Sequence, residues 1–216
     1  EFDNKELHYD IEILKNDLKD QIKTNKTIIE ENKSISEEYT NIVKQNKELT
    51  KDIKELEKIN ENKELISLIS NQQSTLQKTA KKLVLYDGDL QSNLMIIGEA
   101  PGQEEDEQGI PFVGRAGQLL NKMLSAIKLE RKNVYITNVL PWRPPQNRTP
   151  TDQEILDFLP FLQKQIEIIK PKIIYLLGTT AAKAILSTPL SLGKLRGKWY
   201  EYKSVNLDTP INVLAS

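Results

Sequence analysis

The positions of glycine and proline divide this chain into two parts. All 9 glycines and all 10 prolines lie at or after Gly88, so neither residue type interrupts a helix before that point. Apolar residues three or four positions apart run from Leu7 to Ile22 and again from Leu49 to Ile59. This spacing predicts a helix with a narrow apolar stripe. We therefore assign residues 1–70 to a charged, helical or partly disordered extension and residues 71–216 to a separate domain.

The apolar stripe of the extension has two interpretations. It is typical of a solvated helix, and it is also typical of a coiled coil that binds a helical partner. The apolar phase is interrupted between Asn25 and Ser36, which favours the solvated helix. We therefore expect a monomer, with a helical partner for the extension as the alternative.

Charge and composition exclude several classes of protein. Residues 1–75 carry 12 Lys and Arg against 17 Asp and Glu, whereas residues 76–216 carry 18 against 14. The mildly basic second part permits nucleic-acid binding but argues for it only weakly. The absence of cysteine excludes disulfides, thiolate metal sites and thiol nucleophiles. No apolar run approaches the ~20 residues of a membrane span, and no signal peptide is visible, so we expect a cytoplasmic protein without membrane contact.

The second part alternates strand-like and helix-like segments. Four short apolar runs predict buried strands at Leu94–Ile97, Val134–Thr137, Ile173–Leu177 and Ile211–Leu214. Helical patterns lie between them at Ala116–Ile127, Asp152–Lys170 and Thr180–Leu186. The sequence TDQE from Thr151 to Glu154 predicts a capping box, and Pro160 predicts a kink or restart of that helix. This alternation indicates an α/β domain with a mostly parallel sheet, in which sites form at the carboxyl ends of strands.

The loop after the first of these strands reads GEAPGQEEDEQGIPFVGRAGQLL, from Gly98 to Leu120. It is not a phosphate loop, because it lacks GxGxxG and a Gly-Lys-Ser/Thr sequence and carries four consecutive acids at 104–107. Glu99, placed at the strand end by a stiff turn, is a candidate for orienting water or a polar ligand. Phe112 either anchors the loop in the core or offers a face on which a flat ring stacks.

The second strand of the domain ends in TNVLPWRPPQNRTP. The amide of Asn138 either caps the loop or reads the edge of a base. Arg143 and Arg148 flank a rigid Pro-Pro turn and suit contacts to phosphates, and Arg196 belongs to a further basic turn. Taken alone, these residues predict a pocket at the strand ends with a basic rim, and they specify no reaction.

Together the motifs are more specific. The ordered set GEAPGQEED, PFVGRAGQLL, VYITNVLPWRPPQNRTPT and KLRGKW resembles the family 4 uracil-DNA glycosylases, and more closely their bacterial branch with LPWRPP. The resemblance covers Ser74 to Ser216. It implies a three-layer α/β/α sandwich with a central, mostly parallel four-stranded sheet. It also implies hydrolysis of the N-glycosidic bond of uracil in DNA, which leaves an abasic site for base-excision repair.

The resemblance assigns roles to the site residues. A uracil flipped out of the DNA would stack on Phe112, and the Asn138 amide would read its O4 and N3 edge. The turn of Glu99, Ala100 and Pro101 would contact uracil and position the attacking water. Glu105 would assist catalysis by stabilising the developing positive charge of the sugar.

The same resemblance implies that arginines on the surrounding loops hold the phosphates that flank the uracil. The candidates for these DNA-backbone contacts are Arg143, Arg148 and Arg196.

The sequence departs from the family at two places. The family commonly holds an iron–sulfur cluster on four cysteines, whose positions here correspond to Asn71, Ser74, Trp142 and Phe158, so we expect no cofactor and no metal. The family also carries a His-Pro-Ser/Ala loop after the last strand, where this sequence reads INVLAS and ends. We therefore expect a fragment of a longer enzyme or a truncated product. The alternatives to an active glycosylase are a catalytically weak uracil- or DNA-binding remnant and, with less support, a metal-dependent nucleotide hydrolase.

Overall fold

The computed structural model describes residues 2–216, with side chains from residue 7 onward. Its first element is a single helix, α1 (Phe2–Asn71). Contacts divide the chain into two units, residues 1–54 and residues 55–216. This division lies earlier than the boundary at 70/71 taken from the sequence, because Leu65 and Ile69 near the end of α1 are buried in the core of the second unit.

The second unit is built on a six-stranded sheet with the order β1-β3-β2-β4-β6-β5. The strands are β1 (Tyr86–Gly88), β2 (Leu94–Gly98), β3 (Tyr135–Asn138), β4 (Ile173–Leu176), β5 (Trp199–Tyr202) and β6 (Ile211–Ala215). The four central strands are parallel, whereas β1 and β5 pair antiparallel at the two edges. The α/β class and the four predicted strands are confirmed. The count of four strands is wrong, because neither three-residue β1 nor half-exposed β5 has a continuous apolar run.

Five further helices connect the strands: α2 (Gln103–Gln108), α3 (Arg115–Ala126), α4 (Asp152–Ile169), α5 (Thr179–Leu186) and α6 (Leu192–Leu195). Two short 3₁₀ turns occur at Arg131–Asn133 and Pro145–Asn147. The predicted capping box is present, since Thr151 and Glu154 exchange side-chain and backbone hydrogen bonds at the start of α4. The predicted restart at Pro160 does not occur, and α4 continues through it. Leu156, whose carbonyl would otherwise accept from residue 160, lies on the exposed face of α4.

Alternate residues of the strands face two separate buried clusters. Ile96 of β2 packs with Leu120 and Leu124 of α3, whereas its neighbours Met95 and Ile97 belong to the cluster that contains residues of α4. Because side chains alternate along a strand, α3 and α4 lie against opposite faces of the sheet. Burial on both faces explains why these strands are continuous apolar runs and why their ends carry the polar residues.

Among residues 2–216, no helix combines the length and the apolar character that a membrane crossing requires.

Candidate functional site

The candidate site lies where the parallel strands β2 and β3 end side by side. Gly98 and Asn138, the last residues of these strands, are direct neighbours in the sheet. A cavity of about 390 Å³ opens beyond them. Its walls include Ala100, Gly102, Glu105, Phe112, Asn138 and Asn147. The structure therefore brings together four residues that the sequence predicted for the site, namely Ala100, Glu105, Phe112 and Asn138.

The Asn138 side chain is the polar group best placed to bind a ligand in this cavity. The residue is only 4% exposed. Its side-chain amide makes no protein hydrogen bond in the part of the chain that the structure describes, so no contact supports the interpretation of Asn138 as a loop cap. One acceptor and two donors are therefore left for a ligand. Because Asn138 lines the cavity, a ligand bound there can pair directly with this acceptor and these donors.

Phe112 forms the aromatic wall of the cavity. Its φ of 53° lies in the left-handed region, which costs a non-glycine residue on the order of 1–2 kcal/mol. The ring also packs against the cluster of Ile96, Leu120 and Leu124, so it anchors the loop and lines the cavity at once. The two interpretations of Phe112 from sequence are thus compatible.

Two glycines permit this arrangement of the aromatic ring. A Cβ at Gly98 would lie 2.4 Å from Phe112 Cζ and 2.5 Å from Asn138 Oδ1. A Cβ at Gly117 would lie 1.7 Å from the backbone oxygen of Phe112. All three distances are shorter than any van der Waals contact allows, so the ring and the amide reach their positions only because these side chains are absent.

Arg131 holds the Phe112 loop from outside the cavity. Its Nη1 donates to the backbone oxygen of Phe112 at 2.9 Å, and its Nη2 donates to the backbone oxygen of Pro111 at 2.7 Å. Its Nε donates to Asp87 Oδ2 of β1 at 2.7 Å. Sequence reasoning missed this residue, because its partners lie far away along the chain and leave no local pattern.

Glu105 is tied to backbone amides. One carboxylate oxygen accepts from Val113 N at 2.9 Å and Gly114 N at 2.8 Å, and the other accepts from Gly102 N at 3.1 Å. The side chain therefore joins the start of α2 to the loop that follows Phe112. Through these hydrogen bonds, Glu105 holds two backbone segments of the cavity wall together.

Glu99 lies at the end of β2, beside α5. The Thr180 hydroxyl donates a hydrogen bond to its Oε2. Its Oε1 accepts no protein hydrogen bond within residues 2–216, so this oxygen is left for water. Neither Glu99 nor the buried Pro101 is among the described residues that line the 390 Å³ cavity. Thr180 was also missed from sequence, since it comes from a different strand end.

The three predicted phosphate-binding arginines have different environments. Arg148 makes a two-point ion pair with Glu154, with N–O distances of 2.8 and 2.5 Å. This guanidinium, together with backbone and hydroxyl donors of Thr151, lowers the pKa of the Glu154 carboxyl to about 2. Arg148 therefore stabilises the start of α4, and its guanidinium is already bound to the Glu154 carboxylate.

Arg143 and Arg196 lie closer to the strand ends. Arg143 donates from Nε to Oδ1 of Asn147, a residue of the cavity wall, at 2.7 Å. Its Nη1 lies 3.8 Å from a carboxylate oxygen of the buried Asp106. Arg196 is exposed in the turn before β5, and the next residue bonds to Ala215 O at the carboxyl end of β6.

The positions that correspond to the family's cluster cysteines are filled differently here. Trp142 and Phe158 are buried in the main core, 6% and 1% exposed, and Ser74 Oγ accepts from the backbone of Leu76 and Gln77. The chain has no cysteine, and the described side chains include no group of three or more His, Cys, Asp or Glu placed to hold a metal. These residues do not fit an iron–sulfur cluster.

Comparison with known proteins gives concordant matches. The family model described as "Uracil DNA glycosylase superfamily" matches residues 85–216. The chain is 45% identical over 143 residues to a Type-4 uracil-DNA glycosylase of Pyrobaculum aerophilum, covering 64% of this chain and 73% of that protein. It is 41% identical over 140 residues to the Type-4 uracil-DNA glycosylase of Thermotoga maritima, covering 62% and 73%. The corresponding Archaeoglobus fulgidus protein is 41% identical over 138 residues, covering 62% and 69%.

Proposed function

The chain belongs to the uracil DNA glycosylase superfamily, and on this premise we propose that it removes uracil from DNA by hydrolysing the N-glycosidic bond. The product is an abasic site, which base-excision repair then processes. The observation that carries the proposal is the buried, unpartnered amide of Asn138 beside the ring of Phe112. We assign the activity to the second unit, whose core also includes Leu65 and Ile69 of α1, so that the extension ends before the boundary at 70/71 taken from the sequence.

The cavity suits a flat, neutral base. Uracil presents a donor at N3 and an acceptor at O4, which match the Oδ1 acceptor and Nδ2 donors of Asn138. Phe112 offers a face for stacking, and the backbone of Ala100 closes the turn beside it. A base inside a duplex cannot reach these groups, so the uracil has to leave the stack before it binds.

Hydrolysis needs a water molecule and stabilisation of a cationic sugar. The C1′–N1 bond breaks with its electron pair on uracil N1, and water adds to C1′. We assign Glu99 to orient that water and to accept its proton, with Thr180 fixing one carboxylate oxygen. Its negative charge also favours the oxocarbenium-like sugar. Glu105 acts as a positioning residue through the backbone of Gly102, Val113 and Gly114.

Phosphate contacts would hold the DNA over the cavity. We propose Arg143 and Arg196 for this role, because Arg143 bonds to Asn147 of the cavity wall and Arg196 precedes a residue that bonds to the carboxyl end of β6. Arg148 contributes indirectly, by fixing the start of α4 through Glu154. We further propose that the protein works without a cofactor and acts in the cytoplasm, on the cell's DNA.

A glycosylase assay tests the proposal. Oligonucleotides with one uracil, single-stranded or paired with guanine or adenine, are incubated with the protein and cleaved with alkali at abasic sites. We expect cleavage by the wild type and a loss of about 10²–10³-fold in kcat/KM for Asn138→Ala, since both hydrogen bonds to the base disappear. The matched variant Asn212→Ala, at an exposed position in β6, should keep full activity. Absence of uracil release from every substrate, or full activity of Asn138→Ala, would refute the proposal.

Glu99 is tested in the same assay. Under single-turnover conditions, Glu99→Gln should lower the rate of cleavage by about 10²-fold or more, because the general base is lost, while DNA affinity changes little. Glu107→Gln, an exposed acid in the same loop region, is the control. An unchanged rate in Glu99→Gln would remove Glu99 from the mechanism.

A further inference from the structure

The N-terminal helix carries a row of apolar side chains with a strict period of seven. The row occupies every seventh position of the first unit, and Gln21 is its single polar member. Its members are Leu7, Leu14, Gln21, Ile28, Ile35, Ile42 and Leu49. The row continues through the stretch between Asn25 and Ser36, where the sequence patterns indicated an interruption. Only the neighbouring row becomes polar there, at Asn25 and Asn32.

The second row lies four positions after each member of the first. Its members are Ile11, Leu18, Asn25, Asn32, Tyr39, Asn46 and Ile53. Alternating steps of four and three are the spacing of a coiled-coil heptad, in which the first row takes position d and the second takes position a. A period of seven sustained over this length imposes a left-handed supercoil on paired helices. We call the two rows together the heptad stripe.

The heptad stripe lies on the surface of the single chain. Its ten apolar members are 40–69% exposed, and all of them belong to residues 1–54. The stripe extends for about 70 Å along the helix. Most of the stability of a helix in a protein comes from packing its apolar face, and an exposed apolar surface of this size marks an interaction site.

We propose that the heptad stripe pairs with the same stripe of a second copy of this chain, as a parallel, in-register, two-stranded coiled coil. The asparagines at position a favour a second copy of the chain as the partner. In a parallel pair, Asn25, Asn32 and Asn46 each meet their own counterpart, and two amides can hydrogen-bond to each other. Opposite an apolar partner, the same side chains would be buried without partners. A shift of one heptad pairs only Asn25 with Asn32 and leaves the remaining asparagines opposite Leu18, Tyr39 or Ile53.

Charge supports the parallel orientation. Position g, which flanks the stripe on one side, carries five acids: Asp10, Asp17, Glu31, Glu38 and Asp52. In an antiparallel pair, this acidic row would face itself, and like charges would repel.

In a parallel pair, the acidic row instead faces position e of the second copy. The first four acids meet Lys15, Ile22, Ser36 and Val43, none of which is acidic, and only Asp52, at the end of the stripe, faces an acid, Glu57. Asp10 in particular meets the lysine.

The mass of the full-length protein in solution tests the proposal. Light scattering after size-exclusion chromatography at about 10 µM should give twice the chain mass of 24.7 kDa. Ile28→Asn combined with Ile35→Asn should return the protein to one chain mass. The control Ile13→Asn makes the same chemical change on the same helix, outside the stripe, at a side chain that is 45% exposed, and should stay dimeric.

Cross-linking through an introduced cysteine tests the orientation of the two helices. The chain has no cysteine of its own, so each variant carries a single thiol. Leu14→Cys places one thiol at position d, close to its counterpart only in a parallel, in-register pair. Mild oxidation should therefore link the chains covalently, whereas Ile13→Cys should not. A single-chain mass, a mass of three or more chains, dissociation by Ile13→Asn, or a dimer in which Leu14→Cys does not cross-link would each overturn the proposal. These outcomes are independent of glycosylase activity.

Discussion

Arg131 donates a hydrogen bond of 2.9 Å to the backbone oxygen of Phe112 and thereby fixes the aromatic wall of the candidate site from outside. The same guanidinium binds Pro111 O and the Asp87 carboxylate of the edge strand β1. Phe112 has a left-handed backbone conformation, which persists only when surrounding contacts compensate its cost. The position of the stacking face therefore depends on the contacts of the Arg131 guanidinium to these two backbone oxygens.

Loss of this guanidinium should impair both catalysis and folding. Arg131→Gln removes both carbonyl contacts, and we expect kcat/KM for uracil excision to fall about 10–100-fold, because the stacking ring is displaced. The free energy of unfolding should fall by about 1–3 kcal/mol. Single-turnover cleavage of a uracil oligonucleotide and urea denaturation measure the two effects.

Asp87→Asn separates the two roles of Arg131. It removes the charge of the ion pair and leaves the contacts of Arg131 to Pro111 and Phe112 in place. We expect a similar loss of stability and a change in kcat/KM of less than about threefold. Equal losses of activity in Arg131→Gln and Asp87→Asn would show that Arg131 acts through general stability alone.

Gly98→Ala should disrupt both binding groups of the site with one methyl group. The added Cβ would lie 2.4 Å from Phe112 Cζ and 2.5 Å from Asn138 Oδ1, so the ring and the amide have to move apart. Because a displacement of about 1 Å can cost 10²-fold, we expect at least that loss in kcat/KM. Steady-state kinetics with a uracil oligonucleotide check this prediction.

The matched control is Gly193→Ala in α6, where an added Cβ meets no atom within 4 Å. This variant should keep full activity and gain about 0.5–1 kcal/mol of stability, since alanine favours the helix. Comparable activity of the two variants would contradict the role assigned to Gly98.

The central fold and part of the site could be predicted from the sequence because their signals are local. Buried parallel strands are continuous apolar runs, and Asn138, the polar residue at the end of one of them, lines the candidate cavity. Arg131 and Thr180 gave no such signal, because their partners are brought close only by the fold. The Arg148 ion pair was missed for a different reason, since its partner Glu154 had already been assigned to the capping box.

Phe158 should be essential for stability at the place where the family commonly binds a cluster. The side chain is 1% exposed and belongs to the main core, so Phe158→Ala leaves a cavity and should cost about 3–5 kcal/mol of unfolding free energy. Leu156→Ala in the same helix, at a side chain that is 60% exposed, should cost less than about 1 kcal/mol. Equal effects in urea denaturation would show that Phe158 does not fill the core.

Stoichiometric iron and acid-labile sulfide in the purified protein would contradict the cofactor-free assignment.

The Arg148–Glu154 ion pair should make stability depend on pH in the acid range. The pKa of Glu154 falls from 4.5 to about 2 in the folded protein. Its contribution is therefore complete above about pH 4.5 and is lost as the pH falls toward 2, where the folded carboxyl takes up its proton. Because the Arg148 side chain is 42% exposed, solvent screening reduces the contribution to roughly 1–2 kcal/mol.

Urea denaturation at pH 7 and at pH 3 measures this contribution. At pH 7, Glu154→Gln should be less stable than the wild type by that amount. At pH 3, the difference should be at least halved. Glu201→Gln, which removes the exposed ion pair with Lys203, should follow the wild type at both pH values, and a pH-independent deficit in Glu154→Gln would contradict the assignment.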